Sequence, residues 1–143
     1  MDEHILAGVR VLLVEDSYDT REGIRILLKQ HGADVTAVAT APEALAALAD
    51  VRPHVLLSDI GLEGQDGCEL LRSVRALGPD KGGDVPAAAI TAYDASQDRI
   101  RALKAGFWDY VCKPLDTELL VNVVAGVARS AASRPLWRTS SRS

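Results

Sequence analysis

The sequence predicts a doubly wound α/β domain: five parallel strands in the order 2-1-3-4-5, with helices on both faces. Three observations lead there. Short apolar runs alternate with amphipathic stretches, giving five strand–helix units in 143 residues. Several of the runs are nearly continuous in Val, Leu, Ile and Ala, as strands covered on both faces require. The chain is long enough to bury one proper core, and too short for a closed eight-unit barrel.

"VRVLLVED" (Val9 to Asp16) is the first strand, an apolar run that ends on two acids. In "TREGIRILLKQHG", Ile24, Leu27 and Leu28 form one helical stripe and Gly32 is the stop. "ADVTAVAT" is the second strand. "TAPEALAALAD" places Thr40 three residues before Glu43, a capping-box pattern, with Pro42 in the first turn and Leu45 and Leu48 at helical spacing. "HVLLSD" is the third strand, ending on Asp59. "GCELLRSVRALGP" is the third helix, with Leu70, Leu71, Val74 and Leu77 as its buried stripe and Gly78-Pro79 as its terminator. After the loop "GPDKGGD", "VPAAAITA" is a fourth strand of small residues. "SQDRIRALKAG" is a helix in which only Ile100 and Leu103 are strongly apolar, so one face is thinly buried. "DYVCKP" is the fifth strand, and "DTELLVNVVAGVA" the last helix, carrying Leu119, Leu120, Val123, Val124 and Val127. The domain is expected over residues 8–129, and residues 130–143 read as a basic, mobile tail.

Composition narrows the class. With 48% hydrophobic and 25% charged residues the chain is globular, and with one Phe, two Trp and three Tyr its core must be aliphatic. A net charge of −4 argues against a nucleic-acid partner. From Leu119 onward there are four Arg and no Asp or Glu, which leaves the rest of the chain more acidic still. Cys68 and Cys112 make neither a disulfide scaffold nor a metal motif, and core packing is the expected role of both. No apolar run approaches the roughly 18 residues of a membrane helix, and the N-terminus lacks a signal-peptide pattern, so a cytoplasmic setting without direct membrane contact is expected.

In open parallel sheets, ligands bind beyond the carboxyl ends of the strands, beside the switch in strand order. In the expected order the first and third strands are neighbours there. The first ends in Glu15-Asp16, the third in Asp59, the fourth in Thr91 and the fifth in Lys113. Each has an ordinary explanation alone: helix cap, favourable helix start, strand residue, solvated side chain. The combination does not. Three carboxylates on one rim repel one another unless a cation sits among them, and hard oxygen ligands with room for water suit Mg²⁺. A lysine and a hydroxyl on the next strands supply the positive charge and the donor that a phosphoryl group needs. Asp59, on a firmly held central strand, is the candidate nucleophile for an aspartyl phosphate, with Mg²⁺ screening the approach of two anions. Glu15 and Asp16 are better placed to hold metal.

From about Val9 to Arg129 the chain resembles the receiver domain of two-component response regulators, which has the flavodoxin-like fold. The residues that carry the resemblance are Glu15-Asp16, "SDIGLEGQDG" around Asp59, "ITA" with Thr91 and "YVCKP" with Lys113-Pro114, in that order. The resemblance implies that Asp59 takes a phosphoryl group from the phosphohistidine of a histidine kinase or histidine phosphotransfer protein. It implies that Asp16, Asp59 and the Gly61 carbonyl bind Mg²⁺, with Glu15 acting through water. Thr91 and Lys113 would contact the phosphoryl oxygens, and a cis peptide is implied at Lys113-Pro114. Thr91 and Tyr110 would form a switch that changes the surface built from the fourth helix, fifth strand and fifth helix, where a downstream protein would dock. Self-catalysed phosphotransfer and dephosphorylation would be slow at most.

The chain departs from the family at Glu15, where an aspartate is usual, and at Glu63, where proline is usual. Tyr93, two residues after Thr91, is a candidate gate. Other readings fit less well. Aspartate-nucleophile phosphatases of the haloacid-dehalogenase type carry a D-x-D pattern, whereas Ile60 and Gly61 follow Asp59. A pseudo-receiver that has lost phosphorylation finds no support in a complete set of motif residues, and no phosphate-binding glycine loop follows the first strand. Either a stand-alone receiver or the C-terminal receiver of a hybrid sensor kinase suits the chain, and the hybrid or relay type is favoured.

Overall fold

The computed structural model describes residues 4–62, 64–92 and 96–132. Its elements are β1 (Arg10–Val14), α1 (Tyr18–Gln30), β2 (Asp34–Val38), α2 (Ala41–Val51), β3 (Val55–Asp59), α3 (Gly67–Ala76), β4 (Ala87–Thr91), α4 (Ser96–Ala105), β5 (Asp109–Cys112) and α5 (Thr117–Ala132), with a short 3-10 turn at Pro79–Lys81. All strand pairs are parallel, and the order is β2-β1-β3-β4-β5, as the sequence predicts.

The period of two along each strand sorts the core into two halves. Val11, Leu13, Val55, Leu57, Ala88 and Ile90 face one side, where they meet Ile24 and Leu28 of α1 and Leu120, Val121 and Val124 of α5. Leu12, Val14, Leu56, Ala87 and Ala89 face the other side, against Ala44 and Leu48 of α2, Leu70, Leu71 and Val74 of α3 and Ala102 of α4. Right-handed crossovers produce this division. The step from β1 to β2 runs one way across the sheet and the step from β2 to β3 runs back, so the strand order reverses between β1 and β3.

Local chemistry fixes the helix starts. Thr40 Oγ1 accepts the Glu43 N–H at 3.3 Å, and Glu43 Oε1 accepts the Ala39 N–H at 3.2 Å. Asp66 and Glu69 form a full capping box at the head of α3, through Asp66 Oδ1 on the Glu69 N–H (2.8 Å) and Glu69 Oε1 on the Asp66 N–H (3.3 Å). Gly67 then follows under tight constraint. A Cβ there would stand 2.5 Å from the Asp59 carbonyl oxygen and 2.9 Å from the Ile60 Cα, so only glycine lets α3 start this close to the end of β3.

Several expected core residues lie at the surface. Ile100 and Leu103 are 54% and 52% exposed, and among the described side chains of α4 the fully buried one is Ala102. The thin burial expected of this helix is present, but it falls on Ala102 rather than on Ile100 and Leu103. Leu119 (49% exposed) opens α5 before that helix reaches the core, and Leu77 lies past the last turn of α3. Cys68 is buried as expected, whereas Cys112 is only half-buried. Glu63 and Tyr93 lie outside the described residues, as do residues 133–143 of the expected tail.

Candidate functional site

The strand ladder carries three carboxylates to one rim. Glu15 follows β1 directly, and its N–H still pairs with the Val38 carbonyl at 3.1 Å, so its backbone continues the sheet. Asp16 is the next residue, and Asp59 is the last of β3. Ligand-capable atoms of Glu15, Asp16 and Asp59 all lie within 4.8 Å of one another. Glu15 and Asp59 are buried, 0% and 5% exposed, and Asp16 is the most open of the three.

Lys113, just past β5, reaches back over this cluster. Its Nζ stands 2.8 Å from Asp59 Oδ2 and 3.5 Å from Glu15 Oε1. The other Asp59 oxygen, Oδ1, accepts the Gly61 N–H at 2.8 Å. Asp59 is thus held at both oxygens, one by an ammonium and one by an amide. The peptide bond following the lysine, Lys113-Pro114, is cis.

Electrostatics set the resting charge state. Burial pushes the Glu15 carboxyl up to about 7, and its contact with Asp59 adds to the shift, against the Ser17 N–H and the Lys113 charge. Glu15 Oε2 accepts that Ser17 N–H at 3.1 Å. Burial alone would lower Lys113, but its hydrogen bond to Asp59 and the charges of Asp59 and Glu15 outweigh it and hold the amine above the ordinary lysine range.

The residues suit a hard divalent cation. Glu15 Oε1 is buried and, apart from the Lys113 ammonium 3.5 Å away, has no hydrogen-bond partner, a costly condition that a divalent cation or its bound water would relieve further. The donor set is oxygen throughout, with Asp16 on the open side.

Thr91 ends β4, on the strand beside Asp59. It is fully buried, and its Oγ1 donates to Cys112 Sγ at 3.3 Å. Tyr110 is half-buried on β5, packed on the side of α2, α3 and α4, and the Arg99 guanidinium stands 5.9 Å from its ring centre. The structure therefore draws Glu15, Asp16, Asp59, Gly61 and Lys113 into one cluster. Thr91 sits one strand away with its hydroxyl bonded elsewhere, and Tyr110 lies further along β5.

Three local features escaped the sequence reading. Ser58 Oγ donates to the Asp59 carbonyl at 3.0 Å. Arg101 of α4 bridges to Asp66 at 2.7 Å, tying the loop after Asp59 to α4. Cys112 partners Thr91. In the sheet register Cys112 stands directly opposite Thr91, a pairing that neither strand's sequence shows by itself.

A sheet of order 2-1-3-4-5 with an acidic trio and a lysine at its switch point defines a class that comparison with known proteins then specifies. Residues 11–125 match the response regulator receiver domain. The chain is 43% identical over 119 residues to an uncharacterized 14.6 kDa protein of Leptolyngbya boryana, covering 83% of this chain and 89% of that protein. It is 36% identical over 126 residues to the transcriptional regulatory protein TrcR of Mycobacterium tuberculosis, covering 87% of this chain; it spans about half of that relative, 47%. Among solved structures, the receiver domain of the sensor histidine kinase PA1611 of Pseudomonas aeruginosa superposes with a TM-score of 0.77 at 33% identity, covering 87% of this chain and 100% of that one; that protein holds a magnesium ion in its active-site cleft. The chain belongs to the response regulator receiver family of two-component signalling.

Proposed function

We propose that this receiver domain accepts a phosphoryl group on Asp59 from the phosphohistidine of a histidine kinase or histidine phosphotransfer protein. The observation that carries the reading is the lysine: Lys113 Nζ lies 2.8 Å from Asp59 Oδ2 and 3.5 Å from Glu15 Oε1, one cation shared by two buried acids. In the reaction an Asp59 carboxylate oxygen attacks phosphorus, the phosphorus–nitrogen bond breaks, and the donor imidazole leaves with the bonding pair. Lys113 then pairs with the phosphoryl oxygens. The Gly61 N–H, 2.8 Å from Asp59 Oδ1, orients the nucleophile.

Asp16, Asp59 and the Gly61 carbonyl would hold Mg²⁺, with Glu15 acting through water. When bound, the ion supplies charge neutralisation between the two anionic reactants. The magnesium in the cleft of the PA1611 receiver supports this assignment. Phosphorylation biases the domain between two packings: Thr91 moves to the phosphoryl group, Tyr110 turns behind it, and the α4-β5-α5 surface changes. Exposed Ile100 and Leu103 on α4 and Leu119 on α5 offer that surface apolar contacts for a downstream protein.

The domain is assigned to residues 8–129, with the last turn of α5 continuing to Ala132, and it acts in the cytoplasm. It serves as a signalling module with slow self-catalysed chemistry, alone or as the receiver of a hybrid sensor kinase. Among the described residues no helix is long and apolar enough to cross a membrane. Incubation with acetyl phosphate and Mg²⁺ is expected to add the mass of one phosphoryl group, and Asp59→Asn to abolish the gain. An undiminished adduct in Asp59→Asn would reject the assignment.

A further inference from the structure

We propose that Cys112 is a positioning residue that sets the resting state of the Thr91 hydroxyl, and with it the balance between the domain's two packings. This rests on the reading of Asp59 as phosphoryl acceptor and of Thr91 as the group that moves toward it.

Thr91 is fully buried, so its hydroxyl needs a partner within the protein. The partner is the Cys112 thiol, 3.3 Å away. The contact is fixed by the fold: Thr91 and Cys112 stand opposite each other in the β4–β5 register, and the Lys113 N–H closes that end of the pair on the Thr91 carbonyl at 2.9 Å. Along the chain the thiol is one residue from Lys113, whose ammonium holds Asp59. Two neighbours on one strand end thus act in opposition. Cys112 keeps the Thr91 hydroxyl engaged on β5, while Lys113 marks the place to which that hydroxyl must move.

Sulfur is a poor acceptor. A bond to it satisfies the buried hydroxyl at rest, yet costs little to break when phosphoryl oxygens, which accept more strongly, come within reach. The residue at this position therefore adjusts the switch. An oxygen acceptor would hold Thr91 more firmly in the resting packing. A side chain without an acceptor would leave the hydroxyl unsatisfied and favour the switched packing. Cys112 is intermediate between the two.

The test compares Cys112→Ala with Cys112→Ser by NMR. In the unphosphorylated protein, vicinal couplings report the Thr91 χ1 rotamer. Wild type and Cys112→Ser are expected to hold one rotamer, and Cys112→Ala to average several. At saturating acetyl phosphate and Mg²⁺, amide shifts on β5 and α5 report the ratio of switched to resting packing. That ratio is expected to fall from Ala through wild type to Ser, with about three- to tenfold between the extremes. In a Thr91→Val background the two Cys112 variants are expected to coincide, because the hydroxyl through which they act is gone. Thr91 couplings indifferent to Cys112, Ala and Ser moving the ratio in the same direction, or a separation that survives Thr91→Val would each overturn the proposal. If no variant takes up a phosphoryl group, the reading of Asp59 is what fails, and the resting-state couplings alone decide the role of Cys112.

Discussion

Glu15→Gln in metal-free protein isolates the strain stored at the acidic rim. Glu15 is 0% exposed, and its carboxyl is pushed from an ordinary 4.5 up to about 7. Between those values the folded chain binds a proton that the unfolded chain has released. The associated stability is therefore fully present below pH 4.5 and is lost as pH rises through about 7. The size of the loss is about 3 kcal/mol, the separation of the two values at about 1.4 kcal/mol per unit. Gln cannot titrate and keeps the shape. Urea denaturation in EDTA across pH 4 to 9 is the assay, compared at constant m. Wild type minus Glu15→Gln is expected to fall by about 3 kcal/mol over this window and to be flat above it. A difference that stays level from pH 4.5 to 8, or that rises with pH, would refute the account of Glu15 as a buried acid awaiting a cation.

Three further substitutions probe the site and its scaffold. Asp16→Ala is expected to remove most of the stabilisation that Mg²⁺ confers on the folded protein, seen as loss of the metal-dependent rise in melting temperature; an unchanged rise would place the metal elsewhere. Lys113→Ala removes the cation shared by Glu15 and Asp59, so metal-free stability is expected to drop by about 1–3 kcal/mol while Mg²⁺ affinity, read from the metal dependence of the melting temperature, rises several-fold. In the same variant, phosphorylation is expected to leave the amide shifts of the last two helices unmoved. Gly67→Ala forces a Cβ to within 2.5 Å of the Asp59 carbonyl, and a loss of about 1–3 kcal/mol is expected in denaturant melts; a neutral result would mean that α3 shifts freely.

The fold was legible because burial on both faces leaves a direct mark on the three inner strands, β1, β3 and β4. "VLLV" and "VLLS" can be nothing but central strands once turns and amphipathic helices separate them. The site was legible for a related reason: parallel strands end on one side, so the residues after each apolar run converge. Helical periodicity was less informative. It groups Ile100 with Leu103 correctly, but it cannot say whether anything covers them; α4 buries Ala102 and leaves both in solvent. Contacts across long sequence separations, such as Arg101 with Asp66, depend on the packed positions of α4 and the loop after Asp59. The partnership of Thr91 with Cys112 depends on strand register, which is a property of the assembled sheet rather than of either run.

Phosphorylation of Asp59 can be read at the atom. An acyl phosphate is reduced by borohydride to an alcohol, which would convert a phosphorylated Asp59 to homoserine. After exposure to acetyl phosphate and Mg²⁺, tritiated borohydride followed by proteolysis and peptide sequencing is predicted to place the label at position 59, with none in protein treated without phosphate donor. Label at another carboxylate, or an adduct that borohydride leaves untouched, would contradict the account.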